Sequence, residues 1–459
     1  MVCPMNMHRT DTQKASRRRP RKDLRKDPLQ IALGIFFILV GAAINPFTIP
    51  SLVQGLIGVE LKASLPVLFL LFALPALVFI LLGCGLIAYR SLSKLLQRTV
   101  LLLTALFFIA VLIMLVIELV NYFLVIGTSA YLVWPPSLSK TFYPDPSIFP
   151  GVNGPSHFTT SSLGYRGPPL GNASQEYRIL TIGGSTTECL YLDDSKTWAD
   201  ALMHSLNISR DGRRVVVMNV GRSGYSTDEN ALQAKYLIPQ FKPDMVIMLS
   251  GANDLIMRLL EGDSWTPYTD DFSKAFYATP AYSIKSTFTY HVLFSLYVSF
   301  ILKEKPQDST GEIFTEKRAV RKTLTEMNET PPLDASLKNY VMNVERIMNE
   351  TRPRNITLVL ITQPTSIHPN LSPGEDSLLW FSCVSQQACY SPDAFSRMLN
   401  RYNSALLAAC EGKQDTVCVD AAADMTGNSF YFYDDLHFNE QGARRLSNIL
   451  SAAIRERVP

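Results

Sequence analysis

The chain has 459 residues, too many for one small hydrophobic core, so we expect it to divide into about two or three folding units. Its formal net charge of +3 is close to neutral and gives no signal for nucleic-acid binding, so we expect no nucleic-acid partner. The local distribution of charge is more informative, because residues 1–28 form a basic tail, expected to be cytoplasmic, directly before a long apolar region.

This apolar region predicts membrane insertion. Residues 29–127 contain about three candidate transmembrane helices, at 29–49, 65–89 and 99–126. About 20 apolar residues are enough to cross the hydrocarbon core of a bilayer. The second candidate includes the run LPVLFLLFALPALVFILLGCGLIAY, which is apolar on every face and is therefore unlike a helix at the surface of a soluble protein. The first ends among Asn45, Pro46 and Pro50, so a re-entrant segment is its alternative.

The basic residues predict the orientation in the membrane, because they accumulate on the cytoplasmic side. Both the N-terminal tail and the loop between the second and third candidates, with Arg90, Lys94 and Arg98, are basic. Three crossings then place everything after about Gly127 in the periplasm or a lumen, which predicts a multi-pass membrane protein. A re-entrant first segment would reverse this orientation, whereas a first segment cleaved as a signal peptide near Gly41 would preserve it.

Two pairs of cysteines lie close together in the sequence, Cys383 with Cys389 and Cys410 with Cys418. Loops of this length can close as disulfides in an oxidising compartment, in agreement with a location outside the cytoplasm. The alternative is four unrelated thiols. Sequons for N-glycosylation, relevant only in a compartment that glycosylates proteins, occur at Asn172, Asn207, Asn328, Asn349, Asn355 and Asn370.

After the membrane region, residues 128–171 are rich in Pro, Gly and Ser and predict an irregular linker. From residue 172 to 459, apolar runs alternate with amphipathic segments, which predicts parallel strands alternating with helices. The predicted strands are 178–182, 214–220, 245–250, 356–362 and 417–420. Residues 257–333 break the alternation and predict a cap or insertion. Their apolar patch 292–302 is too short to span a bilayer, and an interfacial element is the alternative to a cap helix.

Four segments carry candidate functional residues at the ends of predicted strands or just before the last helix. They are GGST with Ser185, Asn219–Tyr225, Gly251–Asp254 and Asp434–His437. The carboxyl ends of parallel strands meet at one edge of a sheet, where open α/β sheets place their sites. Each segment alone is common as a turn, a helix cap or a surface histidine. Their combined order is far less expected by chance.

This order resembles that of the SGNH, or GDSL-type, hydrolase family, and in particular its membrane-anchored bacterial members. The residues for which the family is named match Ser185, Gly224, Asn253 and His437. The resemblance implies an α/β fold, a three-layer α/β/α flavodoxin-like domain over residues 172–459, preceded by the transmembrane region. The sequence departs from the family motif at Gly184, where the family has Asp, and we expect this difference to affect local packing and substrate preference.

The resemblance and the residue types together predict a catalytic triad. A serine hydroxyl is a poor nucleophile until a base takes its proton, and His437 would be that base for Ser185. An aspartate three residues before the histidine, Asp434, would accept the other ring N–H. Asp435 competes for this role, and the family pattern favours Asp434.

The same site needs donors for the negative charge that develops on the ester oxygen. We expect the backbone N–H groups of Ser185 and Gly224 and the side-chain amide of Asn253 to form this oxyanion hole. A glycine allows the backbone N–H to approach a ligand closely, and Gly221 is the alternative to Gly224.

These features predict a membrane-anchored serine ester hydrolase acting outside the cytoplasm on an envelope glycan O-acetyl ester or a lipid ester. The alternatives are an O-acyltransferase that passes the acyl group to a glycan, and an inactive envelope scaffold. We expect the bilayer and an ester-bearing small molecule, lipid or glycan as partners, and no cofactor. We expect no metal either, because the histidines outside the site lack neighbours at metal-ligand spacing: His157, His204, His291 and His368. Cys189 is expected to be buried rather than nucleophilic, and Trp380 either lines a pocket or packs within a loop.

Overall fold

The computed structural model describes residues 28–43, 74–88, 93–125, 132–262, 265–266, 310–384 and 388–459. The chain divides into two compact units. One is formed by the N-terminal residues as far as Ile117, and the other is built on residues that follow it.

Three apolar helices lie in the N-terminal part of the chain, α1 (Pro28–Ala43), α2 (Leu74–Ile87) and α3 (Lys94–Val125), and the last of them continues past the boundary at Ile117. A small core forms around the fully buried Phe37, whose ring lies 5.0 Å from that of Phe107. The backbones of α1 and α2 approach closely at two glycines. A Cβ atom on Gly34 would lie 2.8 Å from the carbonyl oxygen of Gly83, so a larger residue there would force the helices apart.

Helix α3 is, within the described residues, the one helix long and apolar enough to cross a membrane by length and composition, over Lys94–Val120. Only 12% of its most apolar stretch is buried. Helices α1 and α2, with 16 and 14 residues, do not reach this length, and residues 44–73 lie outside the described part of the chain. The described helices therefore do not support a multi-pass topology, which stays a prediction.

The second unit is built of alternating strands and helices. The strands are β1 (Ser139–Phe142), β2 (Ser156–Thr159), β3 (Glu176–Gly183), β4 (Arg214–Asn219), β5 (Met245–Leu249), β6 (Thr325–Met327), β7 (Thr357–Ile361), β8 (Ala388–Tyr390) and β9 (Thr416–Val419). The helices are α4 (Ser185–Glu188), α5 (Trp198–Leu206), α6 (Thr227–Phe241), α7 (Ala252–Glu261), α8 (Glu312–Arg321), α9 (Asp334–Thr351), α10 (Pro373–Asp376), α11 (Pro392–Cys410), α12 (Ala421–Met425) and α13 (Glu440–Ile454).

A five-stranded, fully parallel sheet with the order β4-β3-β5-β7-β9 forms the centre of this unit. Numbered along the chain, its strands follow the order 2-1-3-4-5 of the flavodoxin-like fold. The predicted strands and fold class are confirmed. Because the chain leaves β3 for β4 on one side and returns to β5 on the other, the carboxyl end of β3 lies at the switch point where such sheets form a crevice.

The side chains of the sheet alternate between two cores, which explains its almost continuously apolar strands. In β3, Leu180 and Ile182 face a core that includes α6, α7, α9 and α11. Ile179 faces the opposite core, with α5 and α13. Helices on both faces thus give the predicted three-layer α/β/α arrangement.

Residues 132–171 differ from the irregular linker that the sequence predicts. Strands β1 and β2 pair antiparallel, and Phe142, Phe149 and Phe158 are buried in the core beside α5. Their partners come from far along the chain, since Phe149 lies 4.9 Å from Tyr433 between ring centroids. A local pattern does not reveal partners at such a sequence distance.

The predicted cap, residues 257–333, is described only at its two ends. Helix α7 begins before the predicted boundary and ends at Glu261, and α8 and β6 occupy the far end. Strand β6 pairs with β8. The apolar patch 292–302 lies outside the described residues.

Candidate active site

Ser185 is the first residue of the short helix α4, directly after β3. The turn between them depends on two glycines. Gly183 has φ +156°, and a Cβ there would lie 2.4 Å from the carbonyl oxygen of Leu249. Gly184 has an ordinary φ of −87°, but a Cβ there would lie 2.5 Å from Nδ2 of Asn253. The glycine that replaces the family's Asp therefore leaves room for the Asn253 amide.

Three of the predicted residues form one hydrogen-bonded line. Nε2 of His437 lies 2.8 Å from Oγ of Ser185, and Nδ1 lies 2.8 Å and 2.9 Å from the two carboxylate oxygens of Asp434. Asp434 also accepts the backbone N–H groups of Leu436 and His437, at 3.0 Å and 2.8 Å. The D-x-x-H spacing thus lets one loop present both side chains in a fixed geometry.

Asp435, the competitor for Asp434, faces a different part of the structure. Its carboxylate accepts the backbone N–H groups of Trp380 at 2.7 Å and Phe381 at 3.2 Å. Burial and the negative charge of Asp434 raise the pKa of Asp435 to about 7. The two neighbouring aspartates therefore have different roles, since one contacts the histidine and the other holds the loop that contains Trp380.

The charges of His437 and Asp434 stabilise each other in a buried setting. Burial alone would lower the pKa of His437, but the charge of Asp434 and its hydrogen bond outweigh this and raise it above the usual 6.5. For Asp434, burial would raise the pKa, but the charge of His437 and the hydrogen bonds from its ring and backbone lower it below 3.8. The pair therefore stabilises an imidazolium next to a carboxylate, the charge state that a histidine acquires when it takes a proton from a hydroxyl.

Two aromatic rings hold the imidazole. Trp380 and Tyr433 lie nearly parallel to the His437 ring, at 4° and 7°, with centroids at 6.3 Å and 5.5 Å. The indole N–H of Trp380 also donates to Asp434 at 2.9 Å. The sequence left open whether Trp380 lines a pocket or packs in a loop, and it does both. The sequence pattern predicts neither the hydrogen bond from Trp380 to Asp434 nor the position of the Tyr433 ring beside His437.

The predicted oxyanion donors line the same cavity as Ser185 and His437. Asn253 donates one amide hydrogen to the carbonyl of Tyr225 at 2.7 Å, which leaves its second amide hydrogen for a ligand. Gly224 has φ +83°, and a Cβ there would meet nothing within 4 Å. Its positive φ, rather than close packing, is therefore what favours glycine at this position.

The alternative residue, Gly221, has a different environment. Its N–H donates to the side-chain oxygen of Asn219 at 2.9 Å, and a Cβ there would lie 2.5 Å from the backbone nitrogen of Glu188. Gly221 is thus needed for packing against α4 and does not line the cavity. Of the two glycines, Gly224 is the one that lines the cavity, and its role as an oxyanion donor stays a prediction.

Glu188, the last residue of α4, is fully buried and was not singled out by the sequence. The Ser223 hydroxyl, which lines the cavity, is hydrogen-bonded to one carboxylate oxygen of Glu188. The other oxygen is buried and has no partner among the described residues. Burial raises the pKa of Glu188, against the lowering effect of the Ser223 hydrogen bond.

The cavity has a volume of about 690 Å³. Its polar floor contains Ser185, Ser223, Gly224, Asn253 and His437, and most of its walls are apolar. Helices α7 and α8 and the Trp380 loop supply these walls: Ile256, Met257, Leu260, Ile313, Phe314, Val320, Trp380 and Phe381. Lys317, Glu316 and Cys383 complete the lining.

The predicted disulfides are confirmed, since Cys383 is bonded to Cys389 and Cys410 to Cys418. Cys189 is buried as predicted, and burial raises the pKa of its thiol to about 12, far from that of a nucleophilic thiolate. Among the described residues, no group of three or more His, Cys, Asp or Glu side chains is arranged to hold a metal ion.

The sequence and the structure were compared with known proteins. A profile of the GDSL-like lipase/acylhydrolase family matches residues 181–445, more than half of the chain. The search among curated proteins gave no match.

The solved structures that resemble this chain are distant. A catalytic mutant of Axe2, an acetylxylan esterase from Geobacillus stearothermophilus, shares 14% identity over 62% of this chain and 95% of its own, with a TM-score of 0.35. LAE5, an α/β hydrolase enzyme from the metagenome of Lake Arreo, Spain, shares 15% identity over 60% and 94%, with a TM-score of 0.35. The psychrotrophic esterase EstA from Pseudoalteromonas sp. shares 13% identity over 61% and 97%, with a TM-score of 0.31. Such distant likenesses carry no argument about substrate.

Proposed function

This chain belongs to the GDSL-like lipase/acylhydrolase family of ester-hydrolysing enzymes, and from this premise we propose that Ser185 is the nucleophile of a serine ester hydrolase. The observation that carries the proposal is the hydrogen-bonded line from Ser185 through His437 to Asp434 at the floor of an apolar cavity. Nucleophile, base and orienting carboxylate within hydrogen-bond reach are the parts that acyl transfer to serine requires.

The proposed reaction proceeds through an acyl-enzyme. His437 takes the Ser185 proton as Oγ attacks the ester carbonyl, and Asp434 stabilises the imidazolium that forms. The N–H groups of Ser185 and Gly224 and the amide of Asn253 bind the oxyanion. His437 then protonates the leaving alcohol, and water attacks the acyl group by the reverse sequence of proton transfers.

We place this reaction outside the cytoplasm, in a catalytic unit of residues 172–459 that an apolar N-terminal region anchors in the membrane. The two disulfides support this placement, because such bonds persist in oxidising compartments. The apolar helix α3 and the basic residues before it support the anchor. The proposed substrate is an envelope glycan O-acetyl ester or a lipid ester.

The test is the turnover of p-nitrophenyl acetate and butyrate by wild-type protein and by Ser185→Ala. We expect the substitution to lower kcat/KM at least about a thousandfold, because the nucleophile is lost. We also expect a fluorophosphonate probe to label the wild-type protein and not the variant. An unchanged circular dichroism spectrum would show that the variant is folded. Turnover at the wild-type rate by Ser185→Ala would overturn the mechanism.

A further inference from the structure

Lys317 is the one lysine in the wall of the active-site cavity within the described residues, and the reaction proposed above does not use it. It lies on α8, and its ammonium nitrogen is 3.8 Å from the centroid of the Trp380 ring and 5.7 Å from that of Phe314. Since Trp380 also donates to Asp434, the lysine lies directly above a side chain that touches the proposed triad.

The ammonium has donors to offer a ligand. An ammonium carries three N–H donors. In the part of the chain that the structure describes, Lys317 makes neither a hydrogen bond nor an ion pair, and the faces of two aromatic rings are its contacts. Lys317 is exposed and lines the cavity, so a ligand there can reach it. Its surroundings nevertheless desolvate the ammonium enough to lower its pKa, although the charge of Asp434 acts in the opposite direction.

A positive charge in this position favours one class of ligand. Most residues of the wall around it are apolar, and among the described wall residues Lys317 is the one lysine or arginine that an anion entering the cavity would meet. The attraction of the Trp380 ring for the ammonium fixes its position before the ligand arrives, which lowers the cost of ordering a flexible side chain. A neutral ester has no full charge to pair with this ammonium in its ground state, so it gains less from the lysine than an anionic ester does.

A charge of opposite sign lies on the same wall, at Glu316. Neighbouring residues on a helix point about 100° apart, so the two side chains do not face the same point. Glu316 is exposed, and its charge is the opposite of that of Lys317. Glu316 therefore serves as the matched control for a long-range electrostatic effect, which would need no direct contact between Lys317 and the substrate.

Resting on the proposed esterase function, we propose that Lys317 binds an anionic group of the substrate, so that the enzyme prefers esters carrying a carboxylate or phosphate near the ester bond. The anion can belong to the acyl group or to the alcohol, and the chemistry that recognises it is the same. Lys317 is thus a specificity-determining residue of the site.

The experiment compares two matched pairs of esters. 4-Nitrophenyl butyrate and 4-nitrophenyl hemisuccinate differ by a carboxylate on the acyl side, and phenyl acetate and 4-acetoxybenzoate differ by one on the alcohol side. The ratio of kcat/KM for the anionic ester to that for the neutral ester is measured for the full-length wild-type protein, Lys317→Met, Lys317→Arg and Glu316→Gln. Dividing each variant's ratio by that of the wild type removes the intrinsic reactivity of the esters.

We expect Lys317→Met to lower the ratio for at least one pair by about 10-fold or more, as for the loss of a charge-assisted hydrogen bond. The pair that responds identifies the side of the ester that carries the anion. Lys317→Arg should keep the ratio within about threefold of wild type, because it keeps the charge. Glu316→Gln should change it by less than about twofold.

Three outcomes would count against the inference. Lys317→Met could leave the ratios of both pairs unchanged, whether the turnover of the neutral esters is retained or falls in parallel. This result would overturn the inference, because the lysine would then act on the triad or the fold and not on the anion of the substrate. Equal and opposite effects of Glu316→Gln and Lys317→Met would also overturn it, since charge at a distance would suffice. Wild-type protein that hydrolyses none of the four esters would overturn the proposed function, and this inference with it.

Discussion

At the scale of single residues, His437 is the most constrained group of the site. Because a carboxylate only accepts hydrogen bonds, Asp434 requires the proton of the neutral imidazole to be on Nδ1, which leaves Nε2 to accept from Ser185. The two nearly parallel aromatic rings restrict rotation of the imidazole plane. The tautomer of the neutral imidazole and the orientation of its ring are therefore both set before a substrate binds.

The raised pKa of His437 predicts the pH dependence of the reaction. The base works only when neutral, so kcat/KM should rise with pH and level off above the pKa of His437, which Asp434 holds above 6.5. We expect the midpoint of this rise above pH 6.5 in profiles of p-nitrophenyl butyrate hydrolysis from pH 5 to 9. Replacing Asp434 by Asn should lower the rate at every pH. A midpoint below pH 6 in the wild-type protein would contradict the assignment of His437 as a base paired with a charged Asp434.

Trp380→Phe should lower kcat by about 10-fold while the fold is retained. The substitution keeps an aromatic ring beside the imidazole but removes the N–H that donates to Asp434, a hydrogen bond to a charged group. The matched control is Trp134→Phe, because the Trp134 indole N–H is buried without a partner among the described residues. Steady-state kinetics and thermal unfolding of both variants make the test. Equal kcat values for Trp380→Phe and the control would show that the indole hydrogen bond contributes nothing to turnover.

The sequence identifies the candidate reacting groups of the site, but it does not identify most of the side chains that surround them. Ser185, Gly224, Asn253 and His437 are recognisable because each follows a strand or precedes a helix in a fixed order. The family pattern favours Asp434 over Asp435, and in the structure Asp434 is the one whose carboxylate lies against the imidazole. Trp380, Tyr433 and Lys317 reach the site from loops and an insertion with no regular pattern.

At the scale of elements, the carboxyl ends of β3, β4 and β5 determine where the site forms. Each strand is buried on both faces, so its apolar run was readable and its end was marked by glycine or a polar residue. The hairpin of β1 and β2 was missed because its strands are four residues long and its buried aromatic residues pack on distant partners. Periodicity is a weak signal over only four residues, even in β2, whose side chains alternate between buried and exposed.

Gly184→Ala should impair the oxyanion hole without unfolding the protein. The backbone at Gly184 suits any residue, but the new Cβ would lie 2.5 Å from Nδ2 of Asn253, so the amide must move. Loss of one oxyanion donor lowers kcat by about a hundredfold, and that is the fall we expect with p-nitrophenyl butyrate.

The matched control is Gly374→Ala in α10, where a Cβ would have nothing closer than 3.9 Å. It should leave kcat and the melting temperature unchanged. The prediction is wrong if Gly184→Ala keeps the kcat of the control. The glycine at position 184, where the family has Asp, would then not be needed to position the Asn253 amide.

At the scale of the whole molecule, the sequence separates an apolar N-terminal region from an α/β unit, and the structure also divides into two units. The fold class of the second unit was predictable because its sheet is buried on both faces. The structure says less about the membrane topology, since α3 alone among the described helices is long and apolar enough to cross a bilayer. The distribution of basic residues, a property of the sequence, therefore carries the argument about orientation.

The distribution of basic residues predicts that residue 459 lies outside the cytoplasm. Three crossings, with the basic N-terminal tail and Arg90 on the cytoplasmic side, require it. Alkaline phosphatase fused after Pro459 should be active. A fluorescent protein that does not fluoresce after export should be dark when it is fused at the same position. Fusions after Ser93, in the loop between the second and third predicted spans, are the matched control and should behave in the opposite way.

An active phosphatase after Ser93 together with an inactive one after Pro459 would reverse the orientation. The disulfides Cys383–Cys389 and Cys410–Cys418 would then lie in a reducing compartment, where they would not persist. Both the proposed location and the proposed envelope substrate would fall together, whereas the chemistry of Ser185 would not be affected.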